Sequence, residues 1–324
     1  MAVVVAVAVA VDVAATKMKK IALIFAGQGS QALGMGKEFY ENFPKAKELL
    51  EQASESLSLD FKHLLFEENE NLNKSEFTQP ALVLNAFMSY FALLSKMPNF
   101  KASFALGHSL GEFSALGING AFDFVDTLKL VRKRGAFMQD DCSKIEASMM
   151  VILGLSDEKV EQLCQNAQND GKKLFAANYN CEGQIVVAGL KKDLMEFESL
   201  FKEAGAKRAM LLNMSVASHC PLLENASNKL YLELQKALKE NFSPVISNVN
   251  ARAYSSKEEA LNLLKLQLTS PVLYKQSIKN IENEVDIFLE CGSKTLKGLN
   301  AKITQKPTFS ITNLNELDEF LKVL

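Results

Sequence analysis

The chain has no tryptophan and only three histidines in its 324 residues. That shortage limits any histidine base to His63, His108 or His219. Its five cysteines (Cys142, Cys164, Cys181, Cys220 and Cys291) include no C-x-x-C pair and are odd in number. A disulfide framework or a zinc site is therefore not expected, and a reducing cytoplasm fits better. An excess of one charge is also missing: 36 basic residues face 38 acidic ones, a formal net charge of −2. No block reads as a nucleic-acid-binding arm or a strongly basic surface. The Ala/Val-rich stretch "AVVVAVAVAVDVAAT" (2–16) is too short to span a bilayer, lacks a basic start and is interrupted by Asp12. Residues 1–17 are expected to be an extension ahead of the folded protein, a signal or anchor being the alternative. No later segment is expected to cross a membrane.

What is present is a chain that is 48% hydrophobic, enough for a large core and one or two domains. "KIALIFA" (20–26) reads as a buried strand ending in a glycine turn. Helical spacing follows over 36–56 and 79–96, a strand over 101–107, and helices over 110–118 and 123–140. This alternation predicts an α/β layered core built on a parallel sheet. The middle of the chain reads as strand 148–155, helix 157–169, strands 173–179 and 184–190, helix 191–204 and strand 207–214. The order βαββαβ is that of a ferredoxin-like unit. Residues 144–214 are thus expected to be a small domain inserted into a large one formed by 18–143 and 215–324. In the latter part, helices are predicted at 221–240 and 257–268 and strands at 244–249 and 286–291.

"FALGHSLGEFSALG" (104–117) places Ser109 in a Gly-x-Ser-x-Gly frame between a predicted strand and a predicted helix. Small residues two before and two after the serine allow a sharp turn that exposes its hydroxyl. The Leu110 N–H would lie at the positive end of the new helix. A polar turn residue is the alternative, disfavoured by this context. Of the possible bases, His63 sits among charges and reads as an ordinary helix or surface residue. His108 adjoins Ser109 on the turn, so its side chain diverges and packs behind it. His219, in "SVASHCPLL", lies in a polar loop where catalytic side chains gather, and elimination favours it. No acid at a strand end completes a triad.

A second loop, "FAGQGSQALG" (25–34), matches a dinucleotide fingerprint only loosely and lacks the context of one. It can instead bring the Gln28 N–H beside that of Leu110 as a second oxyanion donor. In "DTLKLVRKRGAFMQDD", the residues three and four positions from Arg134 are Leu130, Val131, Phe137 and Met138, so Arg134 is the cation expected to point inward. Its partner is then either an internal carboxylate or the carboxylate of a substrate.

Together "FAGQGSQ", "GHSLGE", "RGAFMQ", "NYNCEGQIVVAG", "ASHCPLL" and "LQLTSPV" resemble the motifs of malonyl-CoA:acyl-carrier-protein transacylases, over about residues 18–315. The resemblance implies an α/β fold: a large α/β-hydrolase-like domain with a parallel sheet core, plus an inserted small ferredoxin-like domain. It implies Ser109 as acyl-accepting nucleophile, His219 as general base, and Gln28 and Leu110 as the oxyanion hole. Arg134 would bind the malonyl carboxylate, Gln267 would hold His219 through its backbone carbonyl, and Asn178 would sit at the edge of the site. Malonyl-CoA and acyl carrier protein are the implied partners, in fatty acid synthesis, with no metal or organic cofactor, nucleic acid or membrane. A cytoplasmic monomer is expected. Carrier proteins are acidic, so a basic patch near the site mouth is expected, with Lys129, Lys133, Lys207 and Arg208 as candidates. "CGSK" (291–294) departs from the family's Gly-Pro-Gly. A serine esterase or thioesterase, with water as acceptor, is the rival reading.

Overall fold

The computed structural model describes residues 19–212 and 216–324. The extension expected over residues 1–17 and the domain boundary expected at 214/215 lie outside the described residues. β1 (Ile21–Phe25) is buried along its whole length, as a strand covered on both faces must be. Ile21, Leu23 and Phe25 enter one apolar core while Ala22 and Ile24 enter another, the two-residue alternation of a strand inside a layered fold.

A helical layer follows with α1 (Lys37–Asn42), α2 (Pro44–Leu57), α3 (Phe61–Phe66) and α4 (Ser75–Lys96). The single helix predicted over 36–56 breaks at Phe43. Pro44 has no N–H to continue a helix, and its fixed φ suits the first position of a new one. The expectation that no segment past residue 17 has the length and apolarity of a membrane span needs correcting: α4 meets both criteria. However, 78% of its apolar window is buried inside the protein, where α2 and other helices pack on it. It is apolar on nearly every side because it is a core helix.

β2 (Phe104–Gly107), α5 (Leu110–Ile118) and α6 (Phe124–Ser143) come next. Then follows the run β3 (Ala147–Leu153), α7 (Asp157–Asn169), β4 (Leu174–Cys181), β5 (Gln184–Leu190), α8 (Lys191–Glu203) and β6 (Arg208–Leu211). The chain returns through α9 (Glu224–Ala237), β7 (Asn241–Ile246), β8 (Ala253–Ser256), α10 (Lys257–Gln267) and α11 (Tyr274–Ile281). β9 (Ile287–Cys291), α12 (Thr295–Asn300), β10 (Thr308–Ile311) and α13 (Leu314–Leu321) complete it. The strand predicted over 244–249 is displaced to Asn241–Ile246, with Pro244 in a register irregularity, where a residue without an N–H is tolerated.

Two sheets result. The larger has the order β10-β9-β1-β2-β7-β8 and is parallel except for the β7–β8 pair. The smaller, β4-β5-β3-β6, is antiparallel. Backbone bonds from Tyr179 N to Val272 O and from Val272 N to Ala177 O, both 2.9 Å, stitch β4 to the segment between α10 and α11. Lys275 on α11 reinforces this by pairing with Asp157 and Glu182. β1 and β2 are adjacent and parallel, with Phe25 opposite Gly107. The loops leaving their carboxyl ends therefore meet at one end of the sheet, where parallel α/β sheets place their sites.

The close approach of α5 to β1 requires glycine. A Cβ on Gly111 would lie 1.9 Å from the Phe25 carbonyl oxygen. Gly111→Ala should therefore cost about 1–3 kcal/mol of stability, as forced overpacking does. Thermal unfolding checks this, and an unchanged Tm would contradict the packing.

Candidate active site

Ser109 sits between β2 and α5 at φ 53° and ψ −105°, backbone that residues with a side chain rarely adopt. The turn holds because its neighbours are small and its polar groups are splinted. A Cβ on Gly107 would lie 2.0 Å from the Gly111 carbonyl carbon. Asn248, just past β7, accepts from the Ser109 N–H at 2.7 Å and donates through Nδ2 to the Gly107 carbonyl at 2.6 Å.

His219 Nδ1 lies 2.7 Å from the Gln267 backbone carbonyl, and Nε2 lies 2.7 Å from Ser109 Oγ. A carbonyl only accepts, so Nδ1 carries the proton and Nε2 is left to accept from the serine hydroxyl. His219 is buried, and that burial, with the charge of Arg134 next in importance, pushes its pKa down to about 3. The imidazole is neutral and able to take a proton.

Arg134 on α6 is 1% exposed. It donates to Gln79 Oε1 at 3.0 Å and to Ser109 Oγ and Gln267 Oε1, each at 3.1 Å, while its buried Nε has no partner. Its face lies against Phe113, 5.3 Å from the ring centre. Burial lowers its pKa to about 9, opposed by the nearby negative charge of Glu112, so the guanidinium stays charged at neutral pH. Among the described residues no carboxylate touches it. Of the two partners open to Arg134 from sequence, the internal carboxylate is thus a neighbour rather than a contact.

Gln267 joins these groups. Its Nε2 donates to the Ser109 carbonyl at 3.0 Å and to Glu112 Oε2 at 2.8 Å, while Oε1 accepts from Arg134. Gln28 lies half-buried after β1, its side chain donating to Ser75 Oγ at 3.0 Å. The backbone N–H groups of Gln28 and of Leu110, the first residue of α5, have no acceptor among the described residues. A cavity of about 420 Å³ collects Gln28, Ser109, Arg134, Asn178 and His219, with an apolar wall that includes Met138, Met149 and Val151. Asn178 is buried in β4, at a register shift opposite Val186.

The remaining candidates do not join the Ser109–His219–Arg134 set. His108 also reaches the cavity, but its Nε2 pairs with Asn180 Oδ1 at 2.8 Å and its ring packs on Tyr274. His63 is exposed on α3, 2.9 Å from Glu67. None of Lys129, Lys133, Lys207 and Arg208 lines the cavity, and Lys133 is paired with Glu233 at 2.7 Å. The lysines lining the adjoining cleft of about 980 Å³ are Lys74 and Lys191. In the Cys291–Lys294 loop, Gly292 adopts φ 80° and its carbonyl accepts from Asn85 at 2.6 Å. The following helix, α12, supplies Thr295, Leu296 and Leu299 to the cavity wall, so the segment that departs from Gly-Pro-Gly leads directly into the border of the site. Sequence reasoning missed Gln79, Glu112 and Asn248. Glu112 stands inside the quoted "GHSLGE", but only the folded chain shows what these three touch. No cluster of metal-ligating side chains occurs among the described residues.

A family model for the acyl transferase domain matches residues 22–299, and the chain belongs to that family. Its relatives define the branch more narrowly. The malonyl CoA-acyl carrier protein transacylase of Bacillus subtilis is 41% identical over 295 residues, covering 89% of this chain and 92% of the relative. The crystal structure of malonyl-CoA:acyl carrier protein transacylase from Helicobacter pylori is 47% identical, with a TM-score of 0.90 over 94% of this chain and 98% of that one. A malonyl-transacylase solved in complex with its type II PKS acyl-carrier protein is 33% identical, also at TM-score 0.90, over 94% of this chain and all of that one.

The depressed pKa makes a direct prediction. As pH falls through the ordinary histidine value of 6.5, His219 should stay neutral. Its imidazole resonances in an NMR titration should not move between about pH 8 and pH 5. A midpoint near the ordinary value would contradict the burial and tautomer assigned here.

Proposed function

We propose that this chain transfers the malonyl group from malonyl-CoA to the phosphopantetheine thiol of acyl carrier protein, supplying malonyl units for fatty acid synthesis. The observation that carries the reading is the buried Arg134 guanidinium, 3.1 Å from Ser109 Oγ, lining the same cavity and without a carboxylate contact. An acyl group ending in a carboxylate supplies the missing anion.

Ser109 Oγ attacks the thioester carbon while its proton passes to His219 Nε2, and the oxyanion is received by the N–H groups of Gln28 and Leu110. The carbon–sulfur bond breaks and the CoA sulfur leaves with the proton from His219. The carrier-protein thiol then gives its proton to His219, its sulfur attacks the malonyl ester, and Ser109 Oγ is reprotonated as it leaves. Gln267 orients His219, and Asn178 borders the acyl group. Arg134 has a second effect. In the resting site its charge helps hold His219 far below its ordinary pKa. A malonyl carboxylate on the guanidinium offsets that charge and makes the imidazole a better base, so selectivity enters the acylation rate as well as binding.

The same reading describes the molecule as a large α/β-hydrolase-like domain, formed by residues 18–143 and 215–324, with a small ferredoxin-like domain over 144–214. The βαββαβ run and its sheet order, with the first and third strands of the run inside, support the smaller assignment. The five free cysteines fit a cytoplasmic setting. Membership of an acyl transferase family weighs against the esterase or thioesterase alternative.

Mixing with malonyl-CoA should add one malonyl group to the intact protein and none to Ser109→Ala, and carrier protein should then remove it to its own thiol. Loss of the label to water at the same rate without carrier protein would favour the hydrolase. Arg134→Ala should lower the preference for malonyl-CoA over acetyl-CoA by about 100-fold, the scale of breaking a buried charge pair. Unchanged selectivity would contradict the role of Arg134.

A further inference from the structure

We propose that Glu112 is a positioning residue for the acyl transfer: its carboxylate fixes the side chain of Gln267, and Gln267 holds Ser109, His219 and Arg134 in one arrangement. This role rests on the malonyl-transfer reading of the site. Glu112 lies one helical turn past Ser109 and is completely buried. A carboxylate there is costly unless its oxygens are satisfied, and the structure satisfies both. Oε2 accepts from Gln267 Nε2 at 2.8 Å and from the Asn248 N–H at 3.1 Å, and Oε1 accepts from the Tyr254 hydroxyl at 2.7 Å.

The consequence falls on Gln267, which is itself fully buried. Its two amide hydrogens go to the acceptors Glu112 and the Ser109 carbonyl, and its amide oxygen takes the Arg134 donor. A flipped amide would set hydrogens against the guanidinium and its oxygen against the carboxylate, so one orientation satisfies every neighbour. That orientation aims Oε1 at Arg134 while the backbone carbonyl of the same residue receives His219 Nδ1. Glu112 touches neither Ser109 Oγ nor His219. It acts on both through Gln267, and on the Ser109 turn through Asn248, which carries the Ser109 N–H.

The test separates hydrogen-bond geometry from charge. Glu112→Gln removes the charge but keeps an oxygen where Gln267 needs one. Glu112→Asp keeps the charge and withdraws it by one methylene, a shift on the order of 1 Å at the reacting groups' support. Acylation of Ser109 by saturating malonyl-CoA, followed by quenched-flow mass spectrometry, should stay within about 5-fold of wild type in E112Q. It should fall by about 100-fold in E112D with KM changed less than about 3-fold, the pattern of misplaced reacting groups. Thermal melts establish that each variant is folded. Gln267→Met gives an independent reading should E112D fail to fold: it removes the amide but keeps the backbone carbonyl, and should slow acylation to a similar degree. A folded E112D or Q267M that acylates at the wild-type rate, or a folded E112Q slower than E112D, overturns the role. Absence of label on the wild-type protein contradicts the malonyl-transfer reading and this role with it, whereas a labelled wild type with unaffected variants contradicts only the role of Glu112.

Discussion

A positive charge almost wholly shielded from water organises this site. The Arg134 guanidinium is stripped of solvent, and nearly every unusual feature around it follows from that. A buried cation must be hydrogen-bonded and balanced by charge. Gln79, Gln267 and Ser109 supply the hydrogen bonds, and Glu112 supplies a negative charge set back from contact. The same cation helps keep His219 neutral. A hydroxyl receiving a hydrogen bond from a guanidinium and giving one to a neutral imidazole is disposed to lose its proton toward the histidine.

The fold's contribution is to bring these groups from distant parts of the chain to one end of a parallel sheet. β1 and β2 deliver the Gln28 loop and the Ser109 turn side by side. α6 delivers Arg134 from across the helical layer. The smaller sheet lines the cavity with Met149, Val151 and Asn178, and the backbone stitch through Val272 ties its strand β4 to the segment between α10 and α11. The strained backbone of Ser109 persists because Asn248 binds the chain on both sides of it, and Asn248 is itself tied to Glu112. The support of the turn and the balance of the Arg134 charge therefore meet at a single carboxylate.

Much of this was legible because the signals are local. The Gly-x-Ser-x-Gly frame carries its own turn. The inward face of Arg134 follows from apolar residues three and four positions away, and its burial agrees. Helix 157–169 and strand 184–190 were read with their observed bounds. Short elements escaped: β8 is half polar at a sheet edge, and β10 spans four residues, too few to show a period. α4 hid its role because a helix buried on nearly every side has no polar face to mark it. Gln79, Glu112 and Asn248 escaped for a different reason. Nothing in a local pattern tells a glutamate that turns inward from one that faces water; the links of Glu112 and Asn248 span well over a hundred positions in sequence, and that of Gln79 to Arg134 spans 55.

In the proposed reaction Arg134 receives the carboxylate of the acyl group. A crystal structure of the protein after acylation by malonyl-CoA tests it most directly. That structure should show an ester at Ser109 Oγ whose free carboxylate lies within hydrogen-bonding distance of the Arg134 guanidinium, with Gln267 still bridging Arg134 and Glu112. An ester whose carboxylate points away from Arg134 toward solvent would contradict it.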